Sequence, residues 1–272
     1  MNVPQNVLHT VYGSKPEDWK QHSHGGGWIY KTATVETSAY LHPNSIVYGD
    51  ARVYGNAQVA GNAQVAGDAW VYGNARVYGY ARVYGNAQVA GNAQVAGDAW
   101  VYGDAQVAGN AWVYGYARVY GNARVYGYAR VYGDARVYGN AQVAGDAWVY
   151  GDAWVYGDAQ VAGNAWVYGD ARVYGNAQVA GNAWVYGNAW VASPPYIQGS
   201  RHALTLCSLT QIAVGCHVHK ITEWLARYKA IGRSEGYTAE QVAEYGRHLA
   251  YLAAIAKRLQ TAAKKDAKKE TK

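Results

Sequence analysis

Five residues towards the C-terminal end are of types that hold metals or move protons: His202, Cys207, Cys216, His217 and His219. Thiolate and imidazole are the usual zinc ligands, and a closed zinc site needs four of them. The run Cys216-His217-x-His219 is not one of the paired zinc spacings, and alternation along a strand would turn Cys216 and His217 to opposite faces. The plainer expectation is a small hairpin with buried thiols and exposed imidazoles; zinc is the cofactor only if four of the five converge. A second pair, His22 and His24, precedes Gly25-Gly26-Gly27. It could bind a metal, and the plainer expectation there is a flexible linker. From Val47 to Val191 the chain has no His, Ser, Thr or Cys, so this stretch supplies neither an imidazole base nor a Ser, Thr or Cys nucleophile.

What that stretch supplies is a scaffold. A valine recurs at every sixth residue from Val47 to Val191 without a miss, and from Val53 onward an alanine lies two before each one. The unit reads Ala-x-Val-(Tyr/Ala)-Gly-(Asn/Asp), with x nearly always Arg, Gln or Trp and an occasional Tyr in the last place. A single helix does not suit a six-residue period, because at 100° per residue the valines wander round the cylinder. Glycine in each unit would also cost a helix about 1 kcal/mol every time. A short strand followed by a corner does suit it: valine points in, x and the residue after valine point out, and Gly-Asn or Gly-Asp makes the turn. A fixed short period of this kind marks a solenoid. Ile29, Val35 and Leu41 extend the register backwards, so the solenoid should begin near Trp28.

Ala-Arg-Val-Tyr-Gly-Asn-Ala-Gln-Val resembles the hexapeptide repeat of left-handed parallel β-helix proteins. The resemblance implies three hexapeptides per triangular coil, with about nine coils here, and its handedness comes from the resemblance alone. At ~4.8 Å per strand the prism should be roughly 40–45 Å long. The family includes acyltransferases, which use a histidine base in a cleft between prisms, and carbonic-anhydrase-like members, which hold a metal with histidines on adjacent coils. No catalytic residue of either kind carries over, since only His42 falls within the solenoid. The family also implies a trimer. The passage around Gly215-Cys216-His217 and the helices after it is similar to the endings of uncharacterised phage and bacterial hexapeptide-repeat proteins, a likeness that supplies no activity.

If eighteen residues make a coil, outward positions eighteen apart share a face. One face carries Tyr84, Tyr102, Tyr120, Tyr138, Tyr156 and Tyr174 beside Trp100, Arg118, Arg136, Trp154 and Arg172. A second carries Tyr114, Tyr132, Tyr150, Tyr168 and Tyr186 beside Trp112, Arg130, Trp148, Trp166 and Trp184. The third is small and amide-rich, with Ala90, Ala108, Ala144, Ala162 and Ala180 beside Gln88, Gln106, Gln142, Gln160 and Gln178. Stacked rings, Arg over Trp, and hydrogen-bonded Gln rows would stabilise the prism. Exposed aromatic and arginine columns are also how interfaces are anchored. The third face is small enough to seat the C-terminal helices.

The chain of 272 residues divides into an N-terminal arm or cap (1–27), the β-helix (28–193), a hairpin with two helices (194–263) and a basic disordered tail (264–272). Pro194-Pro195 should stop the solenoid by removing strand donors. The helices are expected over Ile221 to about Ile231, and from a capping box at Thr238 to about Ala263. The net charge of +6 belongs to the end of the chain, because Val47–Val191 holds eight Arg against nine Asp. Two cysteines and no signal-like or membrane-spanning run point to the cytoplasm. The expected function is a non-enzymatic structural or interaction protein that self-associates as a homo-oligomer. The alternatives are an acyltransferase-like enzyme with its site in the C-terminal segment, and a binding module for nucleic acid, glycan or a small ligand.

Overall fold

The computed structural model describes residues 2–186, 190–191 and 196–270, with the backbone alone at 190, 191, 196 and 262–270. The repeat forms a parallel β-solenoid. After β1 (Trp19–Gln21) and β2 (Trp28–Tyr30), a two-residue strand recurs every six residues, from β3 (Thr34–Val35) to β29 (Trp190–Val191). The pleated segment is thus two residues long, shorter than a strand of three or four, because the corner takes the other four. The strands sort into three sheets, each linking every third strand: β2-β5-β8 onward to β29, β4-β7-β10 to β28, and β3-β6-β9 to β27. The register joins residues eighteen apart, as in Arg82↔Trp100 and Val83↔Val101. The backbone is satisfied between coils: the Trp100 amide donates to Ala117 O at 2.9 Å and the Tyr102 amide to Val119 O at 3.0 Å.

Valine and alanine fill the interior, and from Ala51 to Val185 these inward positions are essentially inaccessible to water. One glycine shows why the corner needs that residue. Gly85 has φ +69°, and a Cβ placed on it would lie 3.0 Å from the Gly103 nitrogen of the next coil. Both the left-handed conformation and the close backbone approach exclude a side chain. The Ser193-Pro194-Pro195 stop expected from the sequence lies outside the described residues.

The N-terminal segment is a folded cap. β1 pairs antiparallel with β2, covering the first edge of one sheet, which is where an open solenoid end would otherwise invite strand addition. Val3 and Val7, the latter from the short helix α1 (Gln5–Leu8), pack with Trp19, Trp28 and Ile46. The flexible linker expected at His22–Gly27 is instead an ordered turn. His22 is buried, with Nε2 3.0 Å from Glu36 O, and His24 Nδ1 lies 3.0 Å from Ala39 O. Both imidazoles are spent tying the cap to backbone carbonyls of the first coils.

Beyond the prism, the expected hairpin is a four-stranded antiparallel sheet: β30 (Tyr196–Gln198), β31 (Ala203–Ser208), β32 (Gln211–Val214) and β33 (His217–Lys220). The run 211–219 is not one strand, because Gly215, at φ +55°, turns it between β32 and β33. Two helices follow, α2 (Ile221–Ser234) and α3 (Ala239–Glu270). The capping box forms: the Gln241 amide donates to Thr238 Oγ1 at 3.2 Å, and the Thr238 amide to Gln241 Oε1 at 3.0 Å. α3 passes the expected end near Ala263. It takes in part of the basic stretch expected to be disordered, in keeping with the helix propensity of Ala and Lys. Leu204, Ile212, Trp224, Tyr245, Leu249 and Leu252 form this unit's own core.

Candidate interaction faces

Each outward column is a consequence of coil geometry. Strands one coil apart hold their outward side chains at the strand spacing, which matches the stacking distance of flat rings. On the first sheet the rings of Tyr84, Tyr102, Tyr120, Tyr138, Tyr156 and Tyr174 stack in one continuous row, with centroids 4.8–5.4 Å apart. On the second, Tyr114, Tyr132, Tyr150, Tyr168 and Tyr186 do the same at 4.8–5.2 Å. Beside them Trp148, Trp166 and Trp184 make a parallel row.

The arginines are held by the tryptophans. Arg82 and Arg118 sit on either side of Trp100, their guanidinium carbons 5.1 and 5.4 Å from its ring centre. Arg136 and Arg172 bracket Trp154 at 4.7 and 4.8 Å. On the second sheet Arg130 lies between Trp112 and Trp148 at 5.6 and 4.7 Å. Cation and ring alternate, so guanidinium groups are fixed on a flat aromatic surface. The rows affect ionisation as well. Burial, then the neighbouring phenols, pushes the Tyr132 hydroxyl up to about 12. Tyr84, Tyr120, Tyr138 and Tyr150 move the same way, with burial the first cause.

Among the described residues, hydrogen-bonded amide rows lie at the corners and not along the glutamine column. Asn74 donates to Asn92 at 3.2 Å and Asn92 to Asn110 at 3.2 Å, and elsewhere Asn140 donates to Asp158 at 2.9 Å. Asn is short and sits on a fixed turn, so its amide spans one coil spacing with little loss of rotamer freedom. Gln142 instead accepts from the Tyr126 hydroxyl at 3.2 Å. Three corner residues outside the face columns are the most exposed aromatics among the described residues of the prism: Tyr80 (62%), Tyr116 (64%) and Tyr128 (62%). Their signal was a tyrosine standing where the repeat otherwise has Asn or Asp.

The five Cys and His candidates do not converge. Cys207 is buried and faces the Tyr186 phenol, and burial pushes its thiol up to about 11. Cys216 is exposed on the turn that splits the expected strand. His217 and His219 share a face of β33, but each meets a carboxylate: His217 Nε2 is 3.1 Å from Glu235, and His219 Nδ1 is 3.3 Å from Glu223. His202 is held through its backbone by the Tyr245 hydroxyl. Among the described residues no three His, Cys, Asp or Glu side chains are grouped to hold a metal. The cavity beside His217, lined also by Trp224, Tyr228 and Tyr237, has a volume near 30 Å³, room for a water. The C-terminal sheet meets the prism at its last coil, where β31 packs against β28 on the second aromatic face.

Against known proteins, the repeat matches the family described as "YdcK Beta solenoid repeat" over residues 47–61, 69–85, 117–133, 129–145, 165–181 and 171–187. The fold is similar to that of the Arabidopsis UDP-N-acetylglucosamine acyltransferase, with 13% identity over 78% of both chains and a TM-score of 0.50. The UDP-N-acetylglucosamine acyltransferase from Campylobacter jejuni also matches, with 14% identity over 80% of this chain and 94% of that one, at a TM-score of 0.35. No curated protein matches by sequence. Among the described residues no helix is long and apolar enough to cross a membrane.

Proposed function

We propose that the protein is a non-enzymatic, self-associating scaffold whose two aromatic and cationic faces are its contact surfaces. The observation that carries this reading is the continuous Tyr rows with Arg held on Trp, on two faces out of three. Rings fixed by stacking lose little entropy on binding, and aromatic and Arg residues are the common anchors of interfaces. From Val47 to Val191 the repeat holds no imidazole base and no Ser or Thr hydroxyl. The free thiols Cys207 and Cys216 fit a reducing, cytoplasmic setting.

Sedimentation of the full chain tests the proposal. The wild type should be an oligomer, and Trp148→Gln, Trp166→Gln and Trp184→Gln together should shift it towards monomer with the β-sheet circular dichroism unchanged. A wild type that stays monomeric at all concentrations would refute it.

A second reading, an acyltransferase with its site after the prism, has two supports. One is the acyltransferase activity of the Arabidopsis protein whose fold is similar. The other is the pair of carboxylates that orient His217 and His219. Acyl transfer from acetyl-CoA to a UDP-sugar, lost in His217→Ala or His219→Ala, would replace the scaffold reading.

A further inference from the structure

The cations of the chain are unevenly satisfied. Between residues 197 and 261 there are four carboxylates, and each is already engaged. Glu223 meets His219 and Arg227; Glu235 meets His217; Glu244 takes Ser200 and His248; Glu240 accepts from Thr238. Lys229, Arg233 and Arg247 have no ion pair among the described residues, and all three are exposed. They line a single cleft of about 690 Å³ between α2 and α3, which has no carboxylate in its wall.

The cleft is built, not incidental. Its floor on α3 is low because that face carries Ala239, Ala243, Gly246 and Ala250. Gly246 is where the Tyr228 ring packs: a Cβ there would lie 2.6 Å from it. Tyr237, which also lines the cleft, is clamped by an edge contact with Tyr245 at 5.0 Å and by Arg201 over one face at 4.9 Å. Two positioned phenol rings and three unneutralised cations therefore face one open groove. The same helix continues towards the lysines of 264–272.

We infer that the α2–α3 cleft binds a single-stranded nucleic acid, with Lys229, Arg233 and Arg247 on the phosphodiester backbone and Tyr228 and Tyr237 as stacking edges. Three cations in a concave, aromatic-edged groove match the pattern of strand recognition, in which backbone contacts supply the affinity and flat rings accept bases. A lipid surface is the less suitable partner, since it would engage a convex basic face and not the inside of a cleft.

The test is fluorescence anisotropy of a labelled oligothymidylate with the full-length protein at low salt. Binding is expected, and the triple variant Lys229→Glu, Arg233→Glu, Arg247→Glu should weaken it by about tenfold or more. The corresponding triple Gln variant should lower the salt slope by about 2, as three single-strand phosphate contacts would require. Circular dichroism of both variants checks that the helices remain. A second variant lacking residues 264–272 should keep groove-dependent binding. The inference is overturned if the wild type does not bind, if the folded triple variants bind as the wild type does, or if removing 264–272 abolishes all binding. Capture by phosphatidylserine vesicles without oligonucleotide binding would overturn it too.

Discussion

Tyr120 and Tyr245 are both tyrosines packed against rings, yet they hold their surroundings in opposite ways. Tyr120 lies 4.8 Å from Tyr102 and from Tyr138, one member of a row in which every interior ring stacks between two like neighbours. Tyr245 is singular. Its hydroxyl accepts from the amides of Arg201 (3.0 Å) and His202 and donates to His202 O at 2.7 Å, bridging more than forty residues of chain, while its ring touches Tyr237 and His248. The prism distributes its stability over equivalent contacts, each replaceable by the next. The C-terminal unit concentrates it in contacts that occur once. In a solenoid, stability is roughly a sum of nearest-neighbour terms, whereas a small mixed core is lost as a unit.

Deletions should expose this contrast most strongly. Removing residues 105–122, one full coil, should leave a cooperative fold in which Tyr102 stacks on Tyr138. Removing only 105–110 should also fold, but Tyr102 would then sit under Tyr126 with Ala144 next, so the first Tyr row breaks. Removing six residues from α3, Tyr245 to Ala250, should release the C-terminal unit altogether, seen as rapid proteolysis there with the prism resistant. A prism that unfolds on losing one coil would end the distributed picture.

Glycine substitutions come next in size. Gly85→Ala places a methyl in a left-handed conformation against backbone that cannot move, and should cost about 1–3 kcal/mol. Gly246→Ala meets the outer end of the Tyr228 side chain and not backbone, and the strain of displacing that ring is offset by about 1 kcal/mol of helix propensity, so its net effect on denaturant midpoint should be smaller. Tyr245→Phe strands the amides of Arg201 and His202 and should cost about 1–3 kcal/mol. Tyr120→Phe keeps the stacked ring and should change stability by no more than about 0.5 kcal/mol. Equal losses from the two phenylalanine variants would erase the distinction.

The same contrast explains which features were legible in the sequence. In the prism each inward position repeats, so Ala and Val at spacing six defined strand, corner, core and the three faces, and the eighteen-residue sorting of Tyr84 to Tyr174 reproduces the first sheet. Handedness was never in the period. The C-terminal unit has no repetition to average over. Its helices were legible from spacing and from Thr238 and Gln241, but its extra strand pairing was not. Nor was the role of Gly215, because a lone glycine in an apolar run reads as strand until its φ is known. The same turn spreads the Cys and His group apart: at Gly215 the chain sends Cys216 outward, while Cys207 is buried against Tyr186. The cleft cations were also missed, since nothing local in the sequence shows that Lys229, Arg233 and Arg247 share one wall.

The smallest expected effect concerns proton binding. Burial raises the phenols of Tyr84, Tyr120, Tyr138 and Tyr150, and that of Tyr132 to about 12, above the value near 10 that they regain on unfolding. Below about pH 10 both states keep these protons and the rows contribute no pH dependence. Above it the unfolded chain ionises first, the native state binds more protons, and stability must fall as pH rises through the window from about 10 to about 12. Cys207, pushed up to about 11 by burial, adds in the same direction from the C-terminal unit, but as one group on one strand. The raised phenols are several and lie in equivalent places, so their ionisation, followed by ultraviolet difference absorbance, should spread over the window as a gradual loss of stability. A single sharp alkaline transition, with Tyr132 ionising at the ordinary phenol value, would mean that the stacked rows do not withhold their hydroxyls from water.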